Sequence, residues 1–501
     1  MNNHVGVAVA SSTRLAAAAG ASVAREGGNA VDAALAAAWV GAVAEPGICA
    51  PGCGGFVTVW GSDFDPVTVD GYIEMPGRGA APECFGGGTT EVSIEYGGGV
   101  TMHVGHGSVG TPGGPAALAL ASERYGRLPW REILAPAITI TRDGFPLTAP
   151  ARHYLEHSGE KVFGWHPDGR AALHDADGRL RDAGETIRVE HLSDTLERLA
   201  RHGVDDFYTG EIGRTIATDM AEHGGLLTRD DLAAYSPVVR RALVGVVPGW
   251  TVATNPAPAI GGVTLGAMLG LLGDRPSGPW REDDVAHLVD VQARVLGFRR
   301  ERVDLREDVV AAIDELHAAF TSPSTVHTSA VDAAGLACAV TLSAGYGSGV
   351  MIPGTGLWMN NCLGEVELNR RGLHAWPVGA RLVSNMAPTV ARSESGAVLS
   401  IGSPGADRIT TAILQAFANH AHAGMPLDEA VAHPRLHVEA TEDGPRVAAE
   451  PGVPGPVGDL PWRYYPELST YFGGVGAVRW SADDGFVAAA DPRRAGATTI
   501  V

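Results

Sequence analysis

Among its 501 residues the chain has a single lysine, Lys161; the other basic side chains are arginines, as in a GC-rich coding bias. Acidic residues outnumber basic ones, 57 to 37, for a formal net charge of −20. Such a chain repels phosphate backbones, and it has no basic cluster interleaved with aromatics, which excludes nucleic acid as a partner. Aromatic residues make up only 6% of the chain. The five cysteines (Cys49, Cys53, Cys84, Cys338, Cys362) are odd in number and scattered, so they form no disulfide framework and suit a reducing compartment. The N-terminal stretch lacks a basic leader, and Arg14, Arg25 and Glu26 break its alanine-rich run. Neither a signal peptide nor a membrane span is expected, which points to a cytoplasmic protein with no membrane partner.

Cofactor signatures are missing too. No glycine-rich stretch carries G-x-x-x-x-G-K or the strand–turn–helix setting of a dinucleotide site. Cys49 and Cys53 have no second ligand pair, and His153/His157 and His420/His422 have no third ligand nearby. No metal and no cofactor are expected.

What the chain does have is glycine, 67 residues of it, with 45% hydrophobic content, 19% charged residues and no flexible linker or repeat. This describes one globular body with close turns. Residues 4–10 read as a strand, followed by a helix ending at Gly27–Gly28 and a second, Ala-rich helix capped by Asn29. Residues 53–60 and 66–70 read as a hairpin; 113–125, 130–142, 191–202, 211–223 and 284–318 read as helices. Beyond residue 325 the pattern turns to strands: HTSAVD, ACAVTLS, GLWMN. Runs of strands flanked by runs of helices give an α+β layered fold.

The chemistry centres on STVHTSAVD, residues 324–332. A threonine hydroxyl is a poor nucleophile without a base. If the Ser324–Thr325 bond were cut, Thr325 would carry a free α-amine beside its own hydroxyl, which joins nucleophile and base in one residue. The string resembles the T-T-H-x-S-V-V-D motif that opens the small subunit of the γ-glutamyltranspeptidase family. The likeness extends along the chain in the family's order, through REGGNAVDAALAAA (25–38), EPGICAPGCGGF (45–56) and RYGRLPWREILAPAITITRDGFPL (124–147) to GSPGADRI (402–409) and DPRRAGA (491–497). The resemblance implies a four-layer αββα sandwich of the N-terminal-nucleophile hydrolase type. It implies autocleavage into a large subunit, residues 1–324, and a small one, 325–501, forming one compact body that can assemble further. Thr325 would be the nucleophile and Ser343 its hydrogen-bonding partner. Gly405 and Ala406 would belong to the oxyanion loop, whose second residue is glycine in the family.

Substrate recognition departs from that pattern. An arginine after a D-G pair holds the glutamyl α-carboxylate in the family; here Asp70-Gly71 is followed by Tyr72-Ile73. Arg78, five residues on, is the candidate substitute. A family asparagine becomes Gly345, in a segment two residues shorter. The N-N-x-x-D-D stretch reads Asn360-Asn361-Cys362-Leu363-Gly364-Glu365, and the S-S pair reads Ser384-Asn385. Arg78, Tyr346, Cys362, Glu365, Ser384 and Asn385 therefore form the candidate substrate set. Losing a charge-assisted arginine anchor is not conservative. The expected activity is an N-terminal-threonine hydrolase or acyltransferase, acting on an amide or activated acyl bond of a small carboxylate-bearing molecule other than a normal γ-glutamyl group. A branch of the family in actinomycete antibiotic biosynthesis, which cleaves a C–C bond, fits the composition. An ordinary glutathione hydrolase and a non-catalytic binding protein on the same fold are the alternatives.

Overall fold

The computed structural model describes residues 6–96, 99–273, 278–302, 325–366, 369, 371–441 and 444–501. Two antiparallel sheets lie face to face. The first has seven strands in the order Ala497–Ile500, Val7–Ser11, Val326–Asp332, Ala337–Ser343, Gly54–Trp60, Val67–Gly71, Val238–Arg241. The second has six: Gly485–Ala490, Gly476–Ser481, Val398–Gly402, Thr389–Ser393, Trp250–Thr254, Leu243–Val247. Small side chains fill the space between them, among them Ala8, Ala10, Ala337, Ala339 and Val398. Small residues let two sheets approach closely, which is one use of this chain's alanine and glycine content.

The outer face of the first sheet is covered by the helices Arg14–Arg25, Ala30–Ala44 and Gly114–Tyr125, and that of the second by Ile260–Leu272, Ile409–Ala421 and Leu427–Ala432; Trp130–Asp143 and Glu282–Arg302 pack on the outside of these helices. The result is the αββα sandwich that the resemblance implies. Ala30–Ala44 is buried along its whole length, which is why alanine dominates it. Its N-terminus carries a reciprocal capping box between Asn29 and Asp32.

Most sequence readings hold to within a residue or two. The strand, hairpin and early helices appear as Val7–Ser11, Gly54–Trp60, Val67–Gly71, Arg14–Arg25, Gly114–Tyr125 and Trp130–Asp143. The long helix runs from Glu282 to Arg302, and the rest of the 284–318 reading lies outside the described residues, as does Ser324. The helices Ala149–Ser158, Ile260–Leu272 and Ile409–Ala421 were not anticipated. The last two are apolar on most sides because they are buried, so a one-faced periodicity gives no signal for them.

Candidate active site

Thr325 sits one residue before the central strand Val326–Asp332, and its side chain is buried, 1% exposed. That strand pairs with Ala337–Ser343 in a register that matches Val326 with Leu342. One step further along the same ladder brings Thr325 opposite Ser343, at a cross-strand spacing of about 4.5–5.5 Å between Cα atoms. Alternation decides which way they face. Val331, Ala337 and Ala339 point into the layer between the sheets, so Thr325, His327, Ser329, Thr341 and Ser343, at even offsets from them, share that face. Ser343 Oγ accepts a hydrogen bond from Gly345 N at 3.0 Å, which fixes its rotamer at the strand end.

His327 braces this row. Its Nδ1 is 2.9 Å from Thr341 Oγ1 and its Nε2 2.8 Å from Ser329 Oγ. The ring lies against Gly402 of the second sheet, where a Cβ would stand 2.2 Å from it. Burial lowers its pKa from 6.5 to about 3, so the ring is neutral and both nitrogens are engaged. His437 is likewise lowered by burial to about 4. A group whose folded pKa is depressed favours the fold above its unfolded pKa; here that contribution is lost as pH falls from about 6.5 toward 3–4. Thermal midpoints measured against pH should therefore drop below pH ~6.5, and His327→Gln should make that drop shallower. An unchanged slope in the variant would remove His327 from this account.

The strand Val398–Gly402 ends in the loop Ser403–Ala406, which leads through a 3₁₀ turn, Ala406–Arg408, into the helix Ile409–Ala421. Ser403 Oγ accepts from Gly474 N at 3.0 Å and pins the loop. Gly405 has φ +129° and touches Gly473, where a Cβ would come within 2.5 Å of its Cα. Ala406 has φ +62°. For a non-glycine residue this left-handed conformation costs about 1–2 kcal/mol, so alanine here keeps the glycine backbone shape under strain.

The space around Ile73 is filled. Ile73 is fully buried, packed against Gly54 and Gly110. The Tyr72 hydroxyl interacts with Ser384 and Cys362, and Cys362 with Glu365; burial pushes the tyrosine and the thiol far up in pKa. Gly345 has φ +62°, and a Cβ on it would lie 2.0 Å from Glu365 Oε1 and 2.2 Å from Asn361 Oδ1. Glu365 and Asn361 thus fill the space that a side chain at 345 would need. Asn385 is 1% exposed, and neither its Oδ1 nor its Nδ2 has a hydrogen-bond partner. Arg78 is not in this group. Its guanidinium pairs with Asp231 at 3.2 Å and Glu74 at 3.6 Å. Arg381 meets Glu74 at 3.0 Å and Asp70 at 3.2 Å and is likewise engaged.

Gly405, Ala406 and Tyr346 line one cavity of about 190 Å³, together with Arg408, Arg463, Arg494, Tyr465 and Tyr471. Sequence reasoning missed these arginines and tyrosines. The available signal was W-R-Y-Y at 462–465, three aromatics in four residues of a chain poor in them. Among the described residues, the groups able to hold a metal ion are His106/Asp219/His223 and His153/Glu156/His157. The second is largely exposed, but Glu156 stands beside His153 and His157 as the third ligand that the sequence reading found missing; it lies on the same helical turn.

The gamma-glutamyltranspeptidase family profile matches residues 16–316 and 292–501. The glutathione hydrolase proenzyme of Escherichia coli K12 is 29% identical over 486 residues, covering 88% of this chain and 82% of its own length. The acylase ACY 1 proenzyme of Pseudomonas sp. SE83 is 30% identical over 460 residues, with 85% and 81% covered. Among solved structures, cephalosporin acylase from Bacillus halodurans superimposes with a TM-score of 0.79 at 24% identity, covering 99% of this chain and 96% of that one.

Proposed function

The chain belongs to the gamma-glutamyltranspeptidase family and is an N-terminal-nucleophile hydrolase or acyltransferase; from that premise we propose that it is an amide-cleaving acylase whose nucleophile is Thr325. The observation that carries this reading is the Val326–Leu342 register at the centre of the first sheet, which extended by one residue sets Thr325 opposite Ser343, with the Gly405–Ala406 loop following a strand of the facing sheet. Cleavage after Ser324 would free the Thr325 amine. That amine takes the proton as Oγ attacks the substrate carbonyl, giving a tetrahedral oxyanion. Backbone N–H groups of the loop, at the positive end of the helix Ile409–Ala421, stabilise that charge. Collapse breaks the substrate's C–N bond as the Thr325 ammonium gives its proton to the leaving amine, and water, deprotonated in turn by the Thr325 amine, then hydrolyses the ester on Thr325. The large and small subunits would stay together, because strands on both sides of the cut alternate within one sheet.

The family's common γ-glutamyl specificity is not part of this proposal, since the carboxylate anchor is an isoleucine and the amine pocket is occupied by Tyr72, Cys362 and Glu365. The test is incubation with a panel of acyl p-nitroanilides, read by p-nitroaniline release and by the mass of the 325–501 fragment. An active donor should add its acyl mass to that fragment. In the same assay Ser343→Ala should slow turnover by ~10–1,000-fold with the fold intact, the effect of one hydrogen bond in a preorganised site. Turnover without any acyl adduct, and at an unchanged rate in Ser343→Ala, would contradict the mechanism.

A further inference from the structure

We propose that the cavity beside the Gly405–Ala406 loop is a carboxylate-binding subsite, with Arg494 and Tyr465 as its recognising side chains and a flat, aromatic-sized anionic group as its ligand. The inference rests on the acylase reading and names the substrate class for it.

Three features point to an anion. First, the chain has 20 more acidic than basic residues, yet Arg408, Arg463 and Arg494 meet around this one cavity of about 190 Å³. Gathering cations against that background creates a local field that draws anions in. Second, two of the residues lining the cavity carry donors that the protein does not use. Arg494 Nε and Tyr465 Oη are both shielded from water and have no hydrogen-bond partner. A buried donor left unmatched costs about 1–3 kcal/mol, a penalty that an acceptor-rich ligand removes. Third, the walls are already set. Arg463 lies 4.7 Å over the Tyr465 ring and Arg408 4.3 Å over the Tyr471 ring, while the two tyrosines stack at 5.0 Å. This Arg–Tyr–Tyr–Arg stack holds flat surfaces in place before a ligand arrives.

The same packing ties the subsite to the catalytic loop. Gly473 lies against Gly405, and the next residue, Gly474, lies against the Arg494 side chain, where a Cβ would be 2.5 Å from its Cδ. Arg494 and the loop thus grip opposite ends of one dipeptide. Carboxylates of the protein counter some of the charge: Asp407 on Arg408, and Glu439 on Arg463 at 4.0 Å, the latter shared with Arg446 at 2.8 Å. Glu45, which interacts with Arg494, is buried and its carboxyl is pushed up to about 7, so near neutrality it offers only a partial counter-charge. Arg494 is therefore the cation left to a ligand. The cavity has the volume of roughly six waters, enough for a small ring or short chain bearing one carboxylate.

The test is isothermal titration of the full chain, as purified, with benzoate, benzamide and inorganic phosphate. Benzoate should bind at least about tenfold tighter than benzamide, its neutral isostere. Arg494→Gln should bring benzoate down to the level of benzamide, and Tyr465→Phe should weaken benzoate several-fold while sparing benzamide. Equal binding of benzoate and benzamide by the wild type overturns the inference. So does charge discrimination that survives Arg494→Gln, or phosphate binding tighter than benzoate. Intact mass and p-nitroanilide turnover, measured on the same samples, separate the two claims. A split, active protein blind to ligand charge defeats this inference alone, whereas an unsplit, inert protein defeats the acylase reading and the inference with it.

Discussion

Thr325→Ala should yield a folded, unsplit chain with turnover reduced by at least ~10⁴-fold, the scale on which loss of a covalent nucleophile acts. The effect is expected to be this large because, in the proposed mechanism, Thr325 supplies both nucleophile and base. Its position opposite Ser343 is set by the ladder, and the only base required is its own amine, which exists after the cut and nowhere else in the central strand. The fold should survive. The substitution removes a hydroxyl and a methyl from a residue at a strand end, a change worth about 1–2 kcal/mol against a sandwich with three buried clusters. Thr325→Ser, which keeps the hydroxyl, should still split and still turn over. The measurement is a denaturing gel with intact mass and a chromogenic assay on the three proteins. Splitting or turnover in Thr325→Ala would move the nucleophile elsewhere.

The second large effect concerns specificity. γ-Glutamyl-p-nitroanilide and glutathione should be poor substrates, with kcat/KM lower by about 30- to 1,000-fold than for the protein's own acyl group, because a charge-assisted anchor carries ~2–4 kcal/mol. Ile73→Arg should not restore them. The Ile73 side chain is fully buried between Gly54 and Gly110, closer than 3 Å to any Cβ placed there. A guanidinium in that space would be buried among apolar side chains without a partner, which is destabilising. Gly345 leaves no room for the family's asparagine either, since Glu365 and Asn361 occupy it. Efficient turnover of glutathione would restore the reading of an ordinary glutathione hydrolase.

Much of this site could be read from the residues. Thr325, Ser343 and the glycine loop are carried by local strings, and strand register does the rest: a two-residue period puts Thr325 and Ser343 on one face once their strands pair. Asn29 as a helix cap is equally local, a side chain bonding its own next turn. What could not be read is what depends on distant segments meeting. Arg78 is a plausible anchor by position, yet Asp231, 153 residues away in sequence, takes up its guanidinium. Arg494 comes to the Ser403–Ala406 loop through the Gly473–Gly474 contact, and Tyr465 through its stack on Tyr471. The role of His327 as a brace depends on Gly402 of the other sheet. The strain at Ala406 is a matter of φ, which no residue string displays.

The central claim is that Thr325 becomes an N-terminal residue. Intact-mass analysis of the purified wild-type protein with N-terminal sequencing of its fragments tests it directly. The account predicts two co-purifying chains, one of 177 residues beginning Thr325-Val326-His327. A protein that remains one chain after prolonged incubation yet turns over its substrate, or one split at any other bond, would contradict it.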